Sequence, residues 1–169
     1  MRNIVRVLVA VTSVLTALSA TGIAHAGDAR PSEGTADEDT AYVMTLLFET
    51  PLGDFSAIAK NRIGPDGAFG DAWFEWKTDL CSAPLVGNTG RSFNFTEPCR
   101  RHDFGYRNIR LLDRRYGNHS WNGDARKRID EQFLADMKGH CHHRRLLDRP
   151  TCYSWAYTFY SVVRIAGGP

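Results

Sequence analysis

"TEPCRRHDFGYRNIRLLDRRYG", residues 96–117, is the stretch that decides how this chain reads. Thr96 can cap a helix, Glu97 and Pro98 suit a first turn, and Gly117 supplies a stop, so the stretch predicts one long helix. His102 and Asp103 are adjacent within it. Successive helical residues are turned by about 100°, so these two side chains cannot face one another. Taken from Cys99, the residues His102, Tyr106 and Ile109 lie on one face, while Asp103 points off to the side. A histidine aimed at the core and a carboxylate aimed beside the cysteine must serve different partners.

"RIDEQFLADMKGHC", residues 128–141, offers a partner for the histidine. On a helix Ile129, Phe133, Leu134, Met137 and Cys141 form an apolar stripe. Asp130 falls in its centre, whereas Glu131, Asp136 and Lys138 fall outside it. A carboxylate buried without a donor either costs several kcal/mol or takes up a proton. Asp130 therefore needs a donor from another element, either an arginine or backbone amides in a structural pair, or His102 in a functional one. For Asp103 the simplest partner is Arg107, one helical turn on. If Cys99 is bonded to Cys81, however, Asp103 faces "TDLC", residues 78–81, and meets Asp79. Two converging carboxylates repel unless a cation lies between them. Carboxylates, a loop carbonyl and water form a hard-oxygen site suited to calcium. Free imidazole titrates near about 6.5, so a carboxylate-oriented histidine can act as general base on water. A calcium ion nearby can stabilise an oxyanion. No serine nucleophile is required, and the chain has no G-x-S-x-G.

The wider composition frames this reading. The chain has 169 residues, which suggests one domain. Its first 26 residues carry Arg2 and Arg6, an apolar run from Val7 to Ala20 interrupted by Thr and Ser, and a closing "AHA". That is the pattern of a secretory signal peptide cut after Ala26; the run is too short and too rich in small residues for a span of about 20 apolar residues. Without Arg2 and Arg6 the 21 Lys+Arg become 19, equal to the 19 Asp+Glu. The acids concentrate in "GDARPSEGTADEDT", so residues 41–169 carry a net +4. This mild bias is too small to argue for nucleic-acid binding. The four cysteines, Cys81, Cys99, Cys141 and Cys152, imply two disulfides in an exported chain. Of three possible pairings, Cys81–Cys99 with Cys141–Cys152 closes the shortest loops and is preferred.

Residues 27–39 read as an acidic disordered leader. A first helix is expected in "TAYVMTLLFET", capped by Asp39 or Thr40, and a second in "PLGDFSAIAKNR" behind its proline. "IGPDGAFGD" is a turn-rich loop, and "AWFEWKTDLCSAPLVGNTGRSFNF" an irregular one after a short helical turn. "ARKRIDEQFLADMKGHC" and "RPTCYSWAYTFYSVVRI" complete the helices, and no strand pattern is convincing. The expected fold is a small all-α, disulfide-linked domain of about five helices, with two long antiparallel helices carrying the active site.

"TDLCSAP", "CRRHDFGYRN" and "RIDEQFLADMK", in this order, closely resemble the secreted bacterial and fungal phospholipases A2, over roughly residues 40–165. The resemblance implies a catalytic domain over 40–169 and calcium-dependent hydrolysis of the sn-2 ester of glycerophospholipids. It implies His102 as general base and Asp130 as its orienter. It implies calcium held by the side chains of Asp79 and Asp103 and the backbone carbonyl of Leu80. Tyr106 would support the aspartate network or the substrate phosphate. The implied disulfides agree with the nearest-neighbour pairing. The chain does not look like the venom and pancreatic branch, since "WKTDLC" stands where that branch has a glycine-rich calcium loop.

Other features have plainer readings beside functional ones. "GHCHHRR" suggests zinc, but Cys141 is wanted for a disulfide and adjacent histidines at a helix end diverge; dipole partners suit them better. The arginines of residues 100–115 could meet lipid phosphates or simply form a solvated face. Trp73, Phe74 and Trp76 could reach into a membrane surface. The expected partner is a phospholipid membrane or micelle surface, with no nucleic acid, no transmembrane segment, a monomeric state and an extracellular location. The competing class is a non-catalytic lipid- or protein-binding module. A pure binder has no physical need for a buried His–Asp pair beside a calcium site.

Overall fold

The computed structural model describes residues 34–62, 73–81, 89–90 and 93–166. The signal-like segment, residues 27–33 of the leader and the 63–71 loop lie outside the described residues.

The described residues are mostly helical. The helices are α1 (Ala36–Met44), continued by a π-helical turn (Thr45–Glu49), α2 (Leu52–Arg62), α3 (Thr96–Tyr116), α4 (Gly123–His142) and α5 (Arg149–Ala166). Between α2 and α3 lies a two-residue ladder of β1 (Thr89–Gly90) and β2 (Phe93–Asn94), antiparallel in register Thr89↔Asn94. The sequence reading expects no strand; a ladder this short leaves no periodic signal.

Helix α1 begins earlier than expected, within the segment read as disordered leader. Thr35 accepts from the Glu38 amide while Glu38 accepts from the Thr35 amide, a reciprocal capping box. The cap is thus Thr35, and Asp39 is a fully buried helical residue. Its Oδ2 accepts from Trp73 Nε1 (2.6 Å), Tyr116 Oη (2.7 Å) and Arg115 Nη1 (3.2 Å). At the other end of this first helical run, the Thr50 amide bonds back to the Thr45 carbonyl at 2.9 Å, the five-residue step of a π turn. Pro51 then forces Thr50 extended.

Helix α3 starts at Thr96, but Thr96 is not its cap. Phe95 holds that position without a side-chain bond, and Asn94 Oδ1 accepts from the Thr96 amide at 2.9 Å. Gly117 closes α3 in the left-handed conformation, at φ 60°. Asn122 caps α4, its side chain accepting from the Asp124 and Ala125 amides.

Contacts fix the helix directions. Arg101 meets Asp136, His102 meets Asp130 and Tyr106 meets Arg126, so α3 and α4 are antiparallel. Asp130 meets Arg164 and Cys141 meets Cys152, so α5 runs antiparallel to α4. Gly105 makes the first packing possible. A Cβ there would lie 2.9 Å from both Ile129 Cγ2 and Leu47 Cδ2.

The core has two lobes. One gathers Val43, Leu46, Leu47, Phe55, Phe104 and Ile129 among their neighbours; the other gathers Phe95, Phe133, Met137, Phe159 and the four disulfide sulfurs. Phe74 and Trp76 belong to the first, at 2% and 3% exposure, and Trp73 packs against it. Phe74 and Trp76 are therefore core, not membrane-reaching, and Trp73 is half-buried against them; burial alternates over residues 74–77 as in an extended segment, a period too short to stand out in the sequence. Asp136 also departs from expectation. It is buried and pairs with buried Arg101, which in addition donates to the Thr50 carbonyl. Both disulfides have the nearest-neighbour pairing. No helix among the described residues is long and apolar enough to cross a membrane.

Candidate active site

The junction of the two lobes holds the His–Asp pair. His102 Nε2 stands 2.7 Å from Asp130 Oδ1, and Asp130 is fully buried. The imidazole is wedged between the rings of Tyr106 (centroids 4.4 Å apart) and Phe133 (4.8 Å). Tyr106 Oη donates to the same Asp130 oxygen at 2.8 Å, and Arg164 Nη1 donates to the other at 2.8 Å. Burial pushes the Asp130 carboxyl up, but hydrogen bonds from His102, Arg164 and Tyr106 outweigh it and hold the group below the usual carboxylate range. Burial pushes the Tyr106 phenol up to about 12, helped by the Asp130 charge, so it remains a donor. With Nε2 committed to Asp130, Nδ1 is the ring nitrogen left to take a proton.

Arg126 and Arg164 are absent from the sequence reading. Arg126 Nε donates to Tyr106 Oη at 3.2 Å and lies 3.8 Å from Asp130 Oδ2. Its Nη2 donates to the Val163 carbonyl at 3.0 Å, which docks α5 onto the site. Arg126 stands four residues before Asp130 on α4, a spacing that signals a possible pair. Nothing in the sequence points to Arg164.

Asp103 turns to the 73–81 segment and not to Arg107. Its Oδ2 accepts from Thr78 Oγ1 (2.5 Å) and from the Asp79 amide (3.1 Å). Thr78 Oγ1 in turn accepts from the Leu80 amide at 2.9 Å. Leu80 sits at φ 58°, a left-handed conformation uncommon for a non-glycine residue. Arg107 reaches instead to Asp79 Oδ1 at 3.4 Å. Burial pushes the Asp103 carboxyl up to about 6, the neighbouring Asp79 charge adding to it against the Thr78 hydrogen bond. Two fixtures hold this segment on α3. Cys81 is bonded to Cys99, and the Asn108 side chain pairs with the Glu75 backbone. No cluster of three or more His, Cys, Asp or Glu converges among the described residues, but Asp79 and Asp103 are neighbouring hard-oxygen groups, the second half-buried with its charge disfavoured by its surroundings. That is the chemistry a calcium ion fits.

A cavity of about 350 Å³ opens beside Asp103 and Tyr106, walled further by Glu75, Arg107, Arg110 and Arg114. Arg110 lies over the Trp121 ring, 4.3 Å from its centroid. The cluster "GHCHHRR" has no such convergence. Cys141 is bonded to Cys152, and the His142 and His143 rings lie 5.8 Å apart at 77°.

Comparison with known proteins gives a consistent result. A family model described as prokaryotic phospholipase A2 matches residues 43–167. A secretory phospholipase A2 of Arthroderma benhamiae is 32% identical over 158 residues, covering 92% of this chain and 95% of that protein. A secretory phospholipase A2 of Beauveria bassiana is 34% identical over 122 residues, covering 72% of this chain and 55% of that protein.

Proposed function

The chain belongs to the prokaryotic phospholipase A2 family, and from that premise we propose that it is a secreted, calcium-dependent phospholipase A2 using a His102–Asp130 pair to activate water. The observation that carries this reading is the 2.7 Å contact of His102 Nε2 with a carboxylate that is buried yet held ionised.

His102 Nδ1 accepts a proton as the water oxygen bonds to the sn-2 carbonyl carbon. Asp130 orients the ring and stabilises the imidazolium that forms. Tyr106 and Arg164 prevent Asp130 from turning away. Collapse of the tetrahedral adduct breaks the bond to the glycerol oxygen, which takes the proton from Nδ1. Fatty acid and lysophospholipid leave. Asp79, Asp103 and the Leu80 carbonyl would hold calcium, which when bound supplies positive charge for the oxyanion. The arginine-walled cavity beside Asp103 suits the lipid phosphodiester. Residues 1–26 act as the signal peptide and 40–169 as the catalytic domain.

The deciding experiment is release of sn-2 fatty acid from phosphatidylcholine vesicles with calcium or with chelator. Release only with calcium is expected. Release unaffected by chelator would remove the calcium assignment, and no release at all would favour a non-catalytic lipid-binding module.

A further inference from the structure

Two of the exposed large apolar side chains of the described residues stand side by side, far along α4 from Asp130, whereas Tyr157 and Ile165 stand singly on α5. Leu146 and Leu147 are 74% and 93% exposed, in the turn between α4 and α5. The turn does not owe this exposure to looseness. The Cys141–Cys152 bridge closes its base, with Cα atoms 5.5 Å apart. Within it the Arg144 amide bonds to the Cys141 carbonyl (3.1 Å), the Asp148 amide to the Arg145 carbonyl (2.9 Å), and Arg149 Nε to the Arg144 carbonyl (3.1 Å). The two leucines are thus displayed on a turn braced by the bridge and these hydrogen bonds.

Their surroundings are cationic. From 142 to 149 the chain carries Arg144, Arg145 and Arg149 against the single acid Asp148, a net +2 with His142 and His143 neutral. The arginines flank the leucines in sequence, Arg144 with its guanidinium over the Phe93 ring at 5.3 Å, and an apolar tip with such neighbours has two matching layers in an anionic lipid surface, acyl boundary for the leucines and phosphates for Arg145 and Arg149. A second copy of the chain suits it less, because a symmetric leucine contact would press like arginines together.

We propose that the 143–148 turn docks the protein on anionic phospholipid bilayers, with Leu146 and Leu147 entering the acyl boundary. The choice of a lipid partner rests on the phospholipase reading, but docking itself needs no turnover. It is measured by sedimentation with vesicles of ether-linked phosphatidylglycerol or phosphatidylcholine, which have no ester to cleave. Wild type should bind phosphatidylglycerol the more strongly, and less so as salt rises. L146D/L147D should lower that partition about 10- to 100-fold, without change in melting temperature and with unchanged hydrolysis of dibutyryl-phosphatidylcholine below its micelle concentration. Leu147→Trp should keep binding and show a blue-shifted emission on phosphatidylglycerol vesicles. Undiminished binding of L146D/L147D overturns the proposal. So does a change in its oligomeric mass with vesicle binding intact. Failure of wild type to cleave the monomeric ester would instead count against the active-site reading, leaving the binding comparison to decide the turn.

Discussion

Asn108 and Glu75 exchange two hydrogen bonds. Asn108 Nδ2 donates to the Glu75 carbonyl at 2.9 Å and Asn108 Oδ1 accepts from the Glu75 amide at 2.8 Å. One side-chain amide thereby does for an extended segment what a neighbouring β-strand would do. With the bridge at Cys81, α3 grips the segment on both sides of Thr78, Asp79 and Leu80. The carboxylates that would hold calcium are therefore positioned by α3 twice over.

Asn108→Leu removes this grip and leaves the Glu75 amide and carbonyl without their partner. The expected loss of stability is about 1–3 kcal/mol, read as a lowered melting temperature. The calcium concentration for half-maximal hydrolysis should rise on the order of tenfold. A melting shift without any change in that midpoint would show that the grip serves only the fold.

Cys81→Ser with Cys99→Ser opens the second fixture. Helical circular dichroism at room temperature should survive while calcium affinity falls. Wild-type calcium affinity in this variant would mean that the bridge does not organise the site.

Asp130→Asn should lower turnover by about 10- to 10⁴-fold, the scale of general-base contributions, because the imidazolium loses its counter-charge. The apolar stripe alone suggests that Asp130→Leu would be neutral or stabilising. The surroundings reverse that expectation, since His102, Tyr106 and Arg164 all direct donors at this carboxylate. Asp130→Leu should be both inactive and less stable, read as a lowered melting temperature, because it leaves the His102 ring and Tyr106 Oη without their acceptor. Calorimetric unfolding and vesicle hydrolysis of the two variants check both parts.

Asp103 sets a pH dependence. Its carboxyl is raised from 3.8 to about 6 in the folded, calcium-free chain. As the proposed calcium ligand, Asp103 would have to lose a proton to the ion below pH 6, so affinity should weaken toward tenfold per pH unit there and be level above. Thr78→Val removes the opposing hydrogen bond and should move the break upward. In chelator the sign for stability is the opposite. The raised group favours the folded state fully below 3.8, and this contribution is lost as pH rises to about 6. Calcium titrations and chelated melts at pH 5, 6 and 7 measure both trends.

Gly105→Ala tests the helix crossing. Alanine gains up to about 1 kcal/mol of helix propensity, but its Cβ would press at 2.9 Å on Ile129 and Leu47. Both are buried and cannot withdraw. Overpacking of this kind costs about 1–3 kcal/mol, so a net fall in melting temperature is expected, with hydrolysis reduced as α3 and α4 separate beside His102.

The long helices and the His102–Asp130 and Asp103–loop relationships were legible because helix periodicity fixes side-chain directions before tertiary structure is known. The wheel finds the centre of a stripe, where Asp130 lies, but not its edge, where Asp136 is buried by pairing with Arg101. Arg164 and Asn108 escaped because their partners lie 34 and 33 residues away in sequence and no local pattern foreshadows them. Thr35 and Glu38 spell a capping box in plain view. The acidic composition around them argued for disorder and outweighed it. Phe74 and Trp76 show the opposite error, in which aromatic content suggested a surface role for core residues although apolar and polar residues alternate over 74–77.

The adjacency of His102 and Asp103 on one helix also ties the two halves of the site together. A rigid rod fixes the offset between the proposed proton acceptor and the proposed ion ligand, while different elements brace each of them. The proposed base is oriented from α4 and α5 through Asp130 and Arg164, and the proposed ion ligand from the 73–81 segment through Thr78 and Asp79. The shared helix keeps the proposed base and the proposed ligand in register, and because the His102 charge acts on the Asp103 carboxyl, a change at either group would be felt at the other.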